Sequence, residues 1–423
     1  MSDTGTPGHR DTKTSGKILF IKVKDSRKAL AKLASEFSGN PSSKIKVIGV
    51  TGTNGKTTVT YLIEAMLKEA ENCPAVIGTI NYRFNARTIS SKNTTPGPLE
   101  LQGMLKKMSD QGCDYAVIEV SSHALDQDRV GGINFSSAIF TNLTQDHLDY
   151  HQNMEDYFLS KVKLFNDLSK KSFSVINVDD RYGRRLKKML SQKRIVTYAI
   201  ENKADVYARD IQTDINGTEF TLKGLNHKLN IKTKLIGRHN IYNVLAAAGW
   251  AMAQGFGPQV IRRALEKITL VPGRLEKIDF PKGFCVFVDY AHTDDALKNV
   301  ITTLRQLRPK KIIVVFGCGG DRDKTKRPKM ARVVSGLADL FLITNDNPRS
   351  ENPNAIIADI IKGTVKNNYR ILPDRREAIK KAISLAKTGD IVLVAGKGHE
   401  NYQIFKNKTI HFDDREEVRE CLA

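Results

Sequence analysis

The 423-residue chain has few cysteines, no long apolar run and a deficit of acid. Its five cysteines, Cys73, Cys113, Cys285, Cys318 and Cys421, are odd in number and lack metal-ligand spacing. That excludes a disulfide framework and a zinc site, and predicts reduced thiols. No stretch approaches the ~18 apolar residues that cross a bilayer, and the polar start MSDTGTPGHRDTKTSG has no apolar signal core. The expectation is a cytoplasmic protein with no membrane span. Asp and Glu number 46 against 67 Lys and Arg, a net charge of +21. The basic residues are dispersed and not interleaved with aromatics, which argues against nucleic acid and for polyanionic small substrates or a solvated surface.

What is present is alternation. A chain of this length divides into two or three domains. Residues 1–44 hold one short helical pattern, DSRKALAKLASEF, and a linker-like SGNPSSK, too little for a domain. From Lys46 the apolar runs KVIGV, YAVIEV, SAIFTNL and FSVINV alternate with helical patterns, which predicts an α/β fold built on a mostly parallel sheet covered on both faces. Asn216-Gly217 predicts a hairpin turn and hence an antiparallel addition. LVPGRLEKI, residues 270–278, reads as a joint between domains. Beyond it CVFVDY, KIIVVFG, LFLITND and DIVLVAG restart the alternation and predict a second, Rossmann-like α/β domain. The expected boundaries are 1–44, 45–270 and 271–423. Ligands in such sheets bind outside the carboxyl ends of the strands. Polar clusters fall there, among them Asp289-Tyr290-Ala291-His292, Asn345-Asp346-Asn347-Pro348-Arg349 and Gly396-Lys397-Gly398-His399-Glu400.

VTGTNGKTTVT, residues 50–60, departs from the usual phosphate-loop spacing, because Val50 stands where a first glycine is common. The tighter Gly52-Thr53-Asn54-Gly55-Lys56-Thr57 still joins an apolar strand to an amphipathic helix. Its amides and the helix N-terminus suit phosphate oxygens, Lys56 the β and γ phosphates, and the Thr57 hydroxyl a Mg²⁺ ion. Glu119 ends a neighbouring strand and is the natural further Mg²⁺ ligand. TNLTQDHLDYH brings Asn142, Asp146 and His147 to the same crevice. Lys161, in SKVKLF, reads from its residues alone as an exposed helical lysine.

GTNGKTT, NTTPG, EVSSHALDQDR, TNLTQDHLDYH, SKVKLF, GRLE, DYAHT, GCGGDRDKTKRP, DNPR and GKGHE occur in the order seen in the Mur ligases, which build the peptidoglycan stem peptide. From about residue 25 to its C-terminus the chain resembles that family, in its diaminopimelate-adding branch. The resemblance implies a central P-loop ATPase-like domain followed by an amino-acid-binding domain. It also implies ATP and Mg²⁺ as cofactors, and a monomer acting on UDP-N-acetylmuramoyl-L-alanyl-D-glutamate and meso-diaminopimelate. ATP would phosphorylate the D-glutamate γ-carboxylate, an amine would attack the acyl phosphate, and phosphate would leave.

Residue by residue, the resemblance assigns ATP to Gly52, Thr53, Asn54, Gly55, Lys56, Thr57, Thr58, Asn142, Asp289 and His292. Catalysis falls to Lys56, Glu119, His147 and Lys161, and the metal to Thr57, Glu119, His147 and a carbamylated Lys161. It assigns the muramyl dipeptide to Asn93, Thr94, Thr95, Ser121, Gln127 and Arg129. Diaminopimelate falls to Arg322, Asp346, Asn347, Pro348, Arg349, Gly396 and Glu400. Arg349 is the expected selector, because a guanidinium grips a second carboxylate through two parallel bonds. Residues 1–44 would be the end of a UDP-binding domain of which most is missing. Asp294 replaces the family's usual proline at a helix start. A folylpolyglutamate or cyanophycin-type ligase is the rival within the fold; the former reads Gly-Lys-Gly-Ser in the loop and neither accounts for DNPR. A truncated nucleotide-binding relative with weak or no ligase activity is the other alternative.

Overall fold

A computed structural model describes residues 22–190, 194–278 and 283–422. The run 115–119 is wholly buried, as are nearly all of 46–51 and all of 173–177, so these strands lie in the middle of a sheet with both faces covered. Eleven strands form that sheet. They are β1 (Lys46–Thr51), β2 (Pro74–Ile77), β3 (Asn81–Phe84), β4 (Arg87–Ser90), β5 (Tyr115–Glu119), β6 (Phe135–Phe140), β7 (Phe173–Asn177), β8 (Arg194–Ala199), β9 (Val206–Asp214), β10 (Gly217–Gly224) and β11 (His227–Thr233). Their order is β11-β10-β9-β8-β7-β6-β1-β5-β2-β3-β4. Pairing is parallel from β9 through β2 and antiparallel at both ends.

The period of two along β1 divides its side chains between two cores. Ile48 and Val50 pack with Leu62, Met66 and Trp250 on one face. Val47 packs with Leu105, Phe158 and Phe165 on the other. The fully buried Trp250 anchors the first core and donates its indole N–H to Ser137 Oγ at 3.0 Å.

A second sheet runs β12 (Glu276–Ile278), β13 (Cys285–Asp289), β17 (Ile391–Ala395), β14 (Ile312–Phe316), β15 (Leu340–Ile343), β16 (Tyr369–Ile371) in space, parallel except for β12. A small hairpin, β18 (Tyr402–Phe405) with β19 (Lys408–His411), follows. The helix Arg375–Leu385 is capped by Asp374, which accepts from the Glu377 amide. The expected α/β class and its mostly parallel sheets are present.

Two readings need correction, and one element went unread. The hairpin turn lies one residue earlier than Asn216-Gly217. Gly217 pairs with Asp214, leaving Ile215 and Asn216 as the loop, because Asp214 Oδ1 accepts from the amides of both Asn216 and Gly217. SGNPSSK is not a free linker: Pro41 and Ser42 are buried, and Ser42 Oγ accepts from the Asn134 amide at 3.0 Å. The β3–β4 hairpin was not foreseen, since NYRF and RTIS are too short and polar to stand out. Before them, helix α1 (Ser26–Phe37), capped by Asp25, rests on the Gly131-Gly132 turn through Ala31 and Ser35. All five cysteines are free thiols, with Cys73 and Cys113 Sγ 3.7 Å apart. Among the described residues no helix is long and apolar enough to cross a membrane.

Candidate active site

β1 ends at Thr51 and turns through Gly52–Gly55 into helix α2 (Lys56–Glu69). A Cβ on Gly52, at φ +146°, would collide with the Thr141 hydroxyl, and one on Gly55, at φ +89°, with the Asn243 side-chain amide. Only glycine fits either position. Gly55 occupies the N-cap of α2 without a side-chain cap, which leaves the first-turn amides open to an anion. Asn142, at the end of β6, fixes the loop: its Oδ1 accepts from Asn54 N at 2.9 Å and its Nδ2 donates to Asn54 O at 3.1 Å. Lys56 Nζ folds back to donate to the carbonyls of Gly52 and Thr53 at 2.9 and 2.8 Å. Burial pulls its pKa below the usual lysine range, against Glu119 and Asp146.

Glu119 is buried at the end of β5. Its Oε2 accepts from the Thr57 hydroxyl at 3.1 Å and the Thr79 hydroxyl at 2.8 Å, and its Oε1 from the Thr79 amide at 2.9 Å. The loop after β6 places His147 in the left-handed region at φ +55°, its backbone N–H bound to Asp146 Oδ1. Such strain in a bulky residue is held only by its surroundings. Burial holds the His147 imidazole well below its ordinary pKa, opposed by Asp146.

Lys161 is the clearest departure from a bland reading of the residues. It is 2% exposed, on the inner face of the helix Met154–Asn166, and its Nζ lies 3.3 Å from the Gly52 carbonyl and 4.5 Å from the Tyr157 ring centroid. Burial, then the Lys56 charge, holds its pKa well below that of a free lysine.

Asn93, Thr94 and Thr95 line one wall. Tyr82 Oη donates to the Asn93 carbonyl, Thr94 Oγ1 is 3.1 Å from Thr79 Oγ1, and Thr95 Oγ1 donates to the Glu119 carbonyl at 2.7 Å. Arg129 Nη1 donates to the Thr95 carbonyl, and its Nε and Nη2 to Gln127 Oε1. Ser121 caps the short helix Ser122–Asp126.

These groups enclose a cavity of about 700 Å³. Thr53 to Thr58, Asn142, Glu119, His147, Asn93 to Thr95, Ser121 and Arg129 line it from the first sheet, and Asp289, His292 and Arg322 from the second. Gly52, Lys161 and Gln127 are not part of this lining. Asp289 spends its carboxylate on backbone, accepting from the Leu275 and Ala291 amides at 2.5 and 2.7 Å. His292 Nδ1 donates to the Tyr290 carbonyl at 2.8 Å, and burial pushes the imidazole down to about 4.

Asp346, Asn347, Pro348, Arg349, Gly396 and Glu400 are not in that lining. They form an adjoining cluster at the ends of β15 and β17. Asn347 Nδ2 donates to Glu400 Oε2 at 2.9 Å. A Cβ on Gly396, at φ +119°, would press on Asp346 Oδ2 at 2.7 Å. Half-buried Arg349, at φ +54°, donates through Nη1 to the Gly320 carbonyl at 2.7 Å. Burial would raise the Asp346 pKa, but Lys397, Arg375 and Arg349 outweigh it and hold the group below its usual range.

Sequence reasoning assigned no role to Arg274, although GRLE was noted. Its Nη2 donates to the Thr57 hydroxyl at 3.0 Å, its guanidinium carbon is 4.4 Å from the Tyr290 ring centroid, and its buried Nη1 has no hydrogen-bond partner. Thr79 and Asp295 were also missed. Asp295 Oδ2 accepts from Asn54 Nδ2 at 3.1 Å across the two halves, and nothing in the sequence marks that pairing.

A phosphate loop on one α/β sheet, facing the strand ends of a second across a polar cavity, defines a nucleotide-dependent ligase. The chain belongs to the Mur ligase family: residues 50–251 match the Mur ligase middle domain and residues 273–398 the Mur ligase glutamate ligase domain. It is 49% identical to the UDP-N-acetylmuramoyl-L-alanyl-D-glutamate--2,6-diaminopimelate ligase of Clostridium tetani, over 96% of this chain and 83% of the relative. It is 45% identical to the ligase of the same name from Syntrophomonas wolfei, over 98% and 85%. A solved structure of a ligase so named superposes with a TM-score of 0.66 at 35% identity, covering 93% of this chain and 82% of that one. The Mycobacterium tuberculosis folylpolyglutamate synthase solved with ADP gives a TM-score of 0.75 at 19% identity, covering 89% and 93%, a likeness of fold alone.

Proposed function

We propose that this protein joins meso-diaminopimelate to the D-glutamate γ-carboxylate of UDP-N-acetylmuramoyl-L-alanyl-D-glutamate, at the expense of ATP, for peptidoglycan synthesis. The observation that carries the reading is the single cavity in which the uncapped start of α2, Glu119, His147 and the Asn93–Thr95 wall face Arg322 of the second sheet. The open amides and Lys56 bind the triphosphate. The γ-phosphate passes to the substrate carboxylate with release of ADP. The incoming amine then forms its C–N bond as the C–O bond to phosphate breaks and the amine proton is lost. Such a reaction depends on charge neutralisation and alignment more than on a strong base.

Among the described residues no three His, Cys, Asp or Glu side chains gather into a metal cage. Mg²⁺ is commonly held by one or two protein oxygens together with phosphates and water. Thr57, Glu119 and His147 would hold it, and it would supply charge neutralisation along the phosphates. Burial and the Lys56 charge disfavour the protonated form of Lys161, the free amine is the form that CO₂ carbamylates, and as a carbamate Lys161 would add an anionic oxygen. Asn93, Thr94, Thr95, Ser121 and Arg129 face the muramyl dipeptide, with Gln127 bracing Arg129. Arg349, Asn347 and Glu400 hold the distal end of diaminopimelate, and the protein works as a monomer in the cytoplasm.

The test is phosphate release from the UDP-muramyl dipeptide, ATP and Mg²⁺ with either diaminopimelate or lysine. Turnover confined to the diacid is expected; equal use of lysine would overturn the reading of Arg349.

A further inference from the structure

We infer that Lys397 is the positioning residue of the amino-acid pocket: its ammonium locks Asn347 and Glu400 into one unit and so presents the Glu400 carboxylate to an ammonium group of the incoming amino acid. The inference rests on the reading just given of which substrate that pocket takes.

Lys397 follows β17, flanked by Gly396 at φ +119° and Gly398 at φ +54°. Its side chain has no exposed surface, a rare state for lysine that demands partners. Nζ donates to Asn347 Oδ1 at 3.1 Å and to Glu400 Oε2 at 3.4 Å, and lies 5.6 Å from the Tyr402 ring centroid. An ammonium only donates, so the atom of Asn347 facing it is the carbonyl oxygen. The Ile404 amide, donating to the same Oδ1 at 3.0 Å, agrees. The Asn347 amide nitrogen is therefore turned to Glu400 Oε2, and the lysine dictates the orientation of both neighbours.

Charge makes the same demand. Asp346 and Glu400 are two carboxylates in one buried cluster, and Arg375, fully buried as well, is committed to Asp414 at 2.7 Å through both Nε and Nη2. Tyr290 and Tyr402 also face Glu400, Arg375 acts on it from farther off, and Arg349 faces Asp346. Burial and Asp346 raise the Glu400 pKa, and Lys397 and Asn347 oppose them. A protonated Glu400 would offer an ammonium no charge, and Lys397 opposes that protonation.

The experiment compares full-length wild type with Lys397→Met, Glu400→Gln and the double variant, using the amino acid that wild type turns over best. Lys397→Met should raise KM for the amino acid about tenfold or more, consistent with loss of a charged hydrogen bond, and leave KM for ATP within about twofold. The acidic limb of kcat/KM for the amino acid should move up by about one pH unit. On the Glu400→Gln background the same change should add little. Thermal melting reads the coupling without activity: Lys397→Met should melt below wild type, and Glu400→Gln should restore part of the loss. An unmoved acidic limb, additive losses, or a double variant less stable than Lys397→Met would overturn the inference. If wild type turned over only a different amino acid, the proposed substrate would fall while the Lys397–Glu400 coupling was still measured.

Discussion

At the scale of the single residue, the position of Lys161 is the most consequential. An ammonium with almost no exposed surface beside another lysine is costly, and its hydrogen-bond acceptor, the Gly52 carbonyl at 3.3 Å, does not neutralise it. Carbamylation converts that cation into an anion and reverses the sign of its interaction with Lys56. Lys161→Ala should therefore lower kcat by about 100-fold or more, the scale for loss of one electrostatic contributor. Short carboxylic acids that fit the vacated space should restore part of the activity. Phosphate release with and without acetate checks this, and wild-type activity in the variant would remove Lys161 from the mechanism. Nothing in SKVKLF reveals the burial of Lys161, since its fate depends on which face of the Met154–Asn166 helix meets the sheet.

At the scale of the element, the joint between the halves reaches into the phosphate site. The segment from Val271 folds on itself through a Val271–Arg274 bridge, is clasped by the Asp289 carboxylate at the Leu275 amide, and delivers Arg274 to the Thr57 hydroxyl. The unpartnered Nη1 leaves the guanidinium a donor to spare for a phosphate oxygen. Arg274→Met should lower kcat for phosphate release by about 100-fold with a smaller change in KM for the amino acid; an unchanged kcat would show the contact to be structural only. The sequence exposed the joint as a break in texture, but not this role, because Thr57 is far from Arg274 along the chain. The phosphate loop was legible for the opposite reason: its function is local, and strand, glycines, Lys-Thr and helix are consecutive. The parallel core was equally legible from mainly apolar runs. The β3–β4 hairpin was hidden because a short edge strand carries little periodicity, and the position of the turn at Ile215-Asn216 depended on a side chain, Asp214, bonding the backbone.

At the scale of the whole molecule, the two halves meet through polar contacts around the cavity, including Asn54 with Asp295 and Lys329 with Gln145 at 2.7 Å. Burial pushes His239 and His292 down to about 4 and His147 and His399 down to about 3, and it lowers His123 and His151 as well. His239 Nδ1 has no hydrogen-bond partner, so its burial is uncompensated. Between about pH 4 and the ordinary histidine value near 6.5 the unfolded chain binds protons that the folded one refuses, so stability must fall as pH drops through that window and level off above it. At about pH 5.5 each imidazole should cost about 1 kcal/mol relative to neutral pH. Glu351, held down to about 2 chiefly by its bonds to Arg327, acts only in more acid solution. Asp289, raised by burial, has the opposite sign, with its window starting near the carboxylate range. The slope between about pH 5.5 and 7.5 therefore carries the histidines, with buried Lys161 adding to it in the same direction. Melting curves across that interval should show wild type losing several degrees on acidification, as expected for a loss of about 4 kcal/mol. His239→Leu should lose up to about a quarter of that dependence, and an undiminished slope in the variant would mean that His239 titrates as it does in the unfolded chain.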